Sequence, residues 1–454
     1  MPRRPRVRTT ASAVLVVALL CTLAASVVLV GSAAGSPQPA AGAHAAKAKK
    51  KKKAKCTRYK TVRVKRGGHV RKVRHCVSRK KKCKRYKTVR VKRGHRHVKV
   101  RRCVHPKKKP AAAPSPSPGS GTTSGPLNGG LIYGLNSVNN DDATLSNVAG
   151  AGVTMARVPL TWSRIEPSAG QFSWSGYDSV VSADARHGIT VLPDALGDPS
   201  WAESSSYNIP SSPAAYADFI AHAAARYGPG GTFWAQNRTV PYHPIVYWEI
   251  WNEPYWYLFN SNGADPGAYA RLVKATALAA RAANPQVKFL LEADLTGYPN
   301  ASTQVEWISA MYSAVPDLNN YFDGVAVHPY SWPKAPDVYS PGDRWDFKRI
   351  GDIRAKFVAH GANNKGFWIT EVGYPTCSGN SRCVSESAQA SDIARIFQLV
   401  KTDYASFMQA VILYSYKDPS GQDGSDPEDW FGLIRSDGTP KPAWNALRQA
   451  TGAG

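Results

Sequence analysis

"PIVYWEIWNEP", residues 244–254, changes character along its length. "PIVYW" is apolar and rich in β-branched and aromatic residues, whereas the stretch finishes on Asn252 and Glu253. A strand buried on both faces reads as a near-continuous apolar run. The opening half therefore predicts a strand inside a parallel sheet. A core strand has no use for a polar end, but in a parallel barrel the carboxyl ends of the strands open onto the site. Trp248, Trp251, Tyr255 and Trp256 put further rings around those two polar residues.

The same pattern recurs seven more times. Working outward, strands are predicted at 131–136, 153–159, 189–195, 244–252, 287–293, 322–330, 366–372 and 410–416. Ala-rich amphipathic runs lie between them, at 213–227, 266–283 and 387–404, with a last helix at 440–450. Strands alternating with helices imply parallel strands with helices outside. Eight such units predict a closed (β/α)8 TIM barrel over residues 131–454. An open doubly wound sheet usually shows a Gly-rich phosphate loop after its first strand, and "YGLNSVNNDD" is not one.

The charge of the chain is unevenly placed. It has 59 Lys and Arg against 31 Asp and Glu, yet no acidic residue precedes Asp141. Residues 47–109 hold 32 of the basic residues and residues 1–8 hold four, which leaves an acidic barrel behind a basic arm. Such asymmetry concerns partners and surfaces, not the fold. Residues 1–35 combine a basic start, an uncharged apolar run at 11–31 and small residues, and read as a signal peptide or membrane anchor. An extracellular or envelope-associated, secreted protein is expected. Residues 36–55 are an Ala/Lys-rich segment expected to be disordered, and 106–130 form a Pro/Ser/Gly linker.

Residues 56–105 contain one 27-residue unit twice, beginning at Cys56 and Cys83, with valines alternating with basic residues about a glycine. Each copy reads as a β-hairpin. An isolated hairpin is marginal in water, so Cys56–Cys76 and Cys83–Cys103 are the preferred staples among three possible pairings, and Cys377–Cys383 closes a short loop. No CxxC spacing occurs, so zinc is not expected. The arm is expected to contact an anionic envelope or matrix polymer. No specific nucleic acid is expected, because Tyr59 and Tyr86 alone offer thin base stacking.

In a barrel the strand ends supply the chemistry. They carry Arg157 on strand 2, Asp194 and Asp198 after strand 3, Asn252 and Glu253 on strand 4, His328 and Tyr330 on strand 6, Glu371 on strand 7, and Tyr414 and Tyr416 on strand 8. Trp201, Trp256, Trp332 and Trp430 lie just beyond and offer flat faces for sugar rings. Two glutamates across a barrel mouth suit glycosidic hydrolysis, in which one carboxyl protonates the leaving oxygen and the other attacks the anomeric carbon. Burial and a nearby negative nucleophile are expected to raise the acid's pKa. Glu249, two positions below Trp251, is expected as a buried carboxylate paired with Arg157.

"RVPLTW", "EIWNEP", "VHPY" and "WITEVGYP" together resemble clan A glycoside hydrolases, family 5 (the cellulase type) above all, with some likeness to family 39. "FGLIRSDGTPKPAW", 431–444, is similar to the end of such barrels. The resemblance spans 131–450 and implies Glu253 as acid/base, Glu371 as nucleophile, and Arg157, Asn252, His328 and Tyr330 around them. It also implies retention of configuration, a β-linked glycan substrate and no metal, and no cofactor is expected. Family 5 barrels commonly have a tryptophan ending strand 8, where this chain has "LYSYKD", and often a histidine after strand 3, where it has "PDALGDPSW". An exo-acting β-xylosidase-like enzyme, or an inactive carbohydrate-binding barrel on a basic arm, are the alternatives.

Overall fold

The computed structural model describes residues 130–454 in full and, before them, the backbone of four strands. The chain divides into two units, 1–118 and 119–454. In the first, Cys56–Arg66 pairs antiparallel with His69–Arg79, and Tyr86–Arg93 with Arg96–Cys103. The registers set Val62 opposite Val73 and Val89 opposite Val100. The bonding of Cys56, Cys76, Cys83 and Cys103 lies outside the described residues, as do the apolar run at 11–31 and the linker. Among the described residues no helix is long and apolar enough to cross a membrane.

The second unit is a closed parallel barrel of eight strands. They are β1 (Ile132–Asn136), β2 (Met155–Thr161), β3 (Thr190–Leu196), β4 (Tyr247–Ile250), β5 (Lys288–Glu292), β6 (Gly324–Val327), β7 (Gly366–Val372) and β8 (Met408–Leu413). Each pairs with the next, and β8 returns to β1 with Val411 beside Tyr133. A helix follows each strand, from Asp142–Gly150 after β1 to Pro442–Thr451 after β8. Several helix starts follow from sequence. Asp265 accepts the Ala268 N–H with Pro266 behind it, and Ser385 accepts that of Ala388.

Most of the core lies between sheet and helices. A smaller cluster fills the barrel itself: Met155, Leu192, Tyr247, Leu290, Ala326, Trp368, Ala410 and Ile412. Tyr247 and Trp368 lie with ring centroids 4.5 Å apart there. Gly134 on β1 leaves Ile412 room, since a Cβ at that position would sit 2.8 Å from its Cγ1.

Candidate active site

Strand periodicity builds the site. Side chains of a strand alternate between faces, so the residues two positions beyond the inner apolar layer also point inward, one layer nearer the mouth. They are Asn136, Arg157, Asp194, Glu249, Glu292, His328 and Thr370, each two residues after Gly134, Met155, Leu192, Tyr247, Leu290, Ala326 and Trp368. An apolar plug thus carries a buried polar and ionic layer, and the catalytic candidates sit on top of it.

Arg157 is the hub of that layer. Its Nε donates to Glu249 Oε2 at 2.5 Å, Nη1 to Glu371 Oε1 at 2.6 Å and Nη2 to Asn252 Oδ1 at 2.8 Å. Nη2 also lies 3.4 Å from Asp194 Oδ2. Burial pushes Asp194 up to about 7 even against that cation. The expected pairing of Glu249 with Arg157 is present, and Thr370 Oγ1 donates to the second Glu249 oxygen at 2.7 Å. Glu371 is held at both oxygens, because Tyr330 donates its hydroxyl to Oε2 at 2.9 Å.

Glu253 stands off the ladder. β4 ends at Ile250, two residues short of the predicted end, because Trp251 and Glu253 take φ values of 67° and 41°. Non-glycine residues seldom adopt that left-handed backbone, and they do so where surrounding contacts impose it. Here the Glu253 N–H donates to Glu292 Oε2 at 2.7 Å, and Tyr255 donates to Glu292 Oε1 at 2.9 Å. Trp251 is consequently turned out of the barrel, with its indole N–H on the Phe259 carbonyl and its ring against Tyr216. Simple alternation had placed it on the face of Glu249.

Three carboxylates converge on one imidazole nitrogen. His328 Nδ1 lies 3.1 Å from Glu253 Oε1, 3.4 Å from Glu292 Oε1 and 3.6 Å from Glu371 Oε2. Laid end to end, the first and third distances bound the Glu253–Glu371 oxygen separation at about 6.7 Å. Burial pushes His328 down, but Glu292, Glu371 and Glu253 outweigh it and carry the imidazole up to about 10. The expectation of a raised Glu253 is not met. Burial does push it up, but the hydrogen bond and charge of His328, with Arg344 and Arg157, bring it below the usual carboxylate range. Glu292 beneath it is pushed well above that range by burial, with Glu249 and Glu253 adding to the effect.

Glu249, Glu292 and His328 present ligand-type atoms within 4.8 Å of one another. Their donors are already committed. Thr370 gives its proton to Glu249, so His328 Nε2, 3.1 Å from Thr370 Oγ1, must donate to that oxygen. Both Glu249 oxygens accept, from Arg157 and Thr370, and both Glu292 oxygens accept, from the Glu253 N–H and Tyr255. The cluster fits a shared-proton network better than a metal site.

The rings named from the sequence are scattered over several places. Trp256 and Tyr414 are half-buried and Trp201 is 36% exposed, its N–H on the Glu166 carbonyl. Trp332 is buried beneath Trp345 and Arg382, which makes Trp345 the exposed ring of that wall. Tyr416 belongs elsewhere, since it accepts from Asn147 and packs on Trp444 of the last helix. Trp430 bonds Asp423 within its own loop and lines a side cavity of about 130 Å³ with Glu386, Asp418 and Lys441. Cys377 and Cys383 form a disulfide after β7. Glu292, Thr370, Tyr255 and Arg344 were not singled out from sequence. Inward alternation from Leu290 and Trp368 would have found the first two.

A model of the cellulase family, glycosyl hydrolase family 5, matches residues 117–409. No curated protein sequence matches the chain. Among solved structures, a family 39 glycoside hydrolase from Bacteroides cellulosilyticus WH2 is 23% identical, with 71% of this chain and 63% of that one covered and a TM-score of 0.54. This chain therefore spans less than two thirds of that neighbour. A glucosidase from Croceicoccus marinus is 14% identical, with coverages of 71% and 67% and a TM-score of 0.51. A family 5, subfamily 18 variant from Streptomyces cattleya, in complex with Manb1-4GlcNAc, is 15% identical, with coverages of 71% and 80% and a TM-score of 0.51. These likenesses establish the barrel.

Proposed function

The chain belongs to the cellulase family, glycosyl hydrolase family 5, within clan A, and from that premise we propose that it is an exported retaining hydrolase of a β-linked polysaccharide. Glu371 is the nucleophile and Glu253 the acid/base. The observation that carries this reading is the close carboxylate pair bridged by His328 Nδ1, at most about 6.7 Å apart between oxygens. Retaining centres hold the two carboxyls about 5–5.5 Å apart and inverting ones about 6.5–9.5 Å. These two oxygens reach the wider class only if the Glu253, His328 and Glu371 atoms stand within about 30° of a straight line.

Glu371 attacks the anomeric carbon as the glycosidic C–O bond breaks, and the departing oxygen takes its proton from Glu253. Water, deprotonated by Glu253, then cleaves the glycosyl ester and restores both groups. Arg157 and Tyr330 hold Glu371 by one oxygen each and fix its aim. Asn252, fixed by Arg157, offers its amide to a sugar hydroxyl. Glu253 must gain a proton before it acts, and His328, shared with Glu292, is placed to relay one. The exposed and half-buried rings Trp201, Trp256, Tyr414 and Trp345 at the strand ends favour a chain of sugars over a single unit. Residues 1–35 would export the enzyme and the basic repeats would hold it on an anionic envelope or matrix polymer.

The test is a pair of variants. Glu371→Ala should lose all activity. Glu253→Ala should still attack dinitrophenyl β-glycosides, whose leaving group needs no proton, and azide should speed its turnover to a β-glycosyl azide. An α-azide, or near-wild-type cleavage of a polymer by Glu253→Ala, would overturn the assignment.

A further inference from the structure

Arg344 lies on the loop between β6 and the helix Arg349–Ala359, and its side chain is 12% exposed. Its guanidinium carbon stands 4.1 Å from the Trp256 ring centroid, 4.9 Å from Tyr298, 5.3 Å from Tyr255 and 5.5 Å from Trp345. Four ring centroids within 5.5 Å displace water from the cation and attract it. Among the described residues no carboxylate meets this cation at hydrogen-bond length, although the charges of Asp294 and Glu253 favour it. Its one ion-pair partner among them is Asp294, at 3.8 Å. Asp294 is already held by Arg349 Nε at 2.5 Å and the Leu295 N–H at 2.6 Å. Nη1 is buried without a hydrogen bond, so the exposed part of the side chain lies elsewhere on it.

The place of this cage relative to the chemistry is set by one loop. Trp256 donates its N–H to the Glu253 carbonyl at 2.8 Å, and Tyr255 is bonded to Glu292 directly beneath Glu253. Arg344 therefore borders the acid/base, the group that faces the departing sugar. A guanidinium with unspent donors favours an anionic oxygen over a hydroxyl, because only an anion also answers its charge. A separate observation agrees. The barrel itself carries an excess of acidic residues, yet the arm places 32 Lys and Arg in residues 47–109 without one acidic residue. A polycation of that kind gathers at an anionic polymer.

We infer that the substrate is an acidic β-glycan, with the carboxylate of a uronic-acid-type residue held by Arg344 on the leaving-group side of the cleaved bond. This rests on the hydrolase function proposed above. The polymer that attracts the arm and the polymer that is cut are then the same chemical class.

The test uses the full chain on β-linked polymers containing glucuronic or mannuronic units, each alongside the same polymer with its carboxyls reduced to hydroxymethyl groups. The quantity read is the ratio of kcat/KM on the acidic form to that on the reduced form. A charged hydrogen bond lost in this way is worth about 10-fold or more, so that ratio is expected in the native protein. It should fall to about one in Arg344→Met and lie between in Arg344→Lys. Because the ratio is taken within one preparation, partial misfolding of a variant does not alter it. A native ratio at or below one overturns the inference, as does a ratio that neither substitution changes. Failure to cleave every polymer and every aryl β-glycoside would instead remove the hydrolase function, and the inference with it.

Discussion

Replacing Arg157 by methionine tests the ionic layer and the catalytic layer together. The guanidinium makes its 2.5 Å contact to Glu249 where the two side chains are 4% and 0% exposed. Water cannot replace the lost partner there. Breaking a buried pair from one side costs about 3–5 kcal/mol, because the other charge stays buried and unpaired. At about 2 °C per kcal/mol for a large domain, Tm should fall by roughly 6–10 °C. The same change frees one oxygen of Glu371 and the amide of Asn252. A displacement of about 1 Å at a reacting group costs on the order of 100-fold in rate. The assays are denaturant unfolding at pH 7 and hydrolysis of an aryl β-glycoside. Adding Glu249→Gln to Arg157→Met removes one stranded charge and should return part of the stability but none of the activity, because Asp194 and Glu371 still lack their cation. Arg157→Lys, a single point of charge in place of a planar fork, should recover stability in part and leave activity low. A loss below about 1 kcal/mol for Arg157→Met would refute the account of a buried hub.

Three further outcomes are expected. Glu292→Gln removes a carboxyl that burial keeps protonated well above the usual range and whose charge, once it ionises at higher pH, holds the proton on His328; Glu249 and Arg157 also face it and Tyr255 and Tyr269 are bonded around it. His328 should then release its proton more readily, moving the basic limb of the kcat/KM profile down by about one pH unit, and an unmoved limb would show Glu292 to be inert. Asp184, fully buried on Ser175–Arg186, is pushed by burial from 3.8 to about 7. Its folded pKa exceeds its unfolded one, so stability is full below about pH 4 and declines as pH rises to 7. Asp184→Asn should flatten that decline by up to about 4 kcal/mol in urea unfolding, and an unchanged slope would place the titration elsewhere. Deleting residues 47–109 should abolish retention on anionic envelope material at low salt while hydrolysis of a soluble substrate stays close to that of the full chain. Equal retention of both proteins would count against the arm as an anchor.

Eight apolar strand runs, spaced by amphipathic helices, made the barrel legible because burial on both faces writes itself into consecutive residues. The polar ends of those runs placed Glu253 and Glu371 at the mouth for the same reason, and the dense basic residues with no acidic one among them marked the arm. Contacts between strands are another matter. Nothing local in "FLLE" says that Glu292 grips the backbone of Glu253, since that contact depends on β4 and β5 lying side by side and on a left-handed turn after Ile250. Alternation alone put Trp251 inside, and the positive φ turned it out. Tyr416 read as a mouth residue because it ends an apolar run, yet its hydroxyl accepts from a helix more than 250 residues earlier. The proton balance was the least legible of all. The depression of Glu253 and the charge on His328 are sums over carboxylates and cations from five strands and a loop, which only the closed barrel brings within 4 Å of one another or close to it.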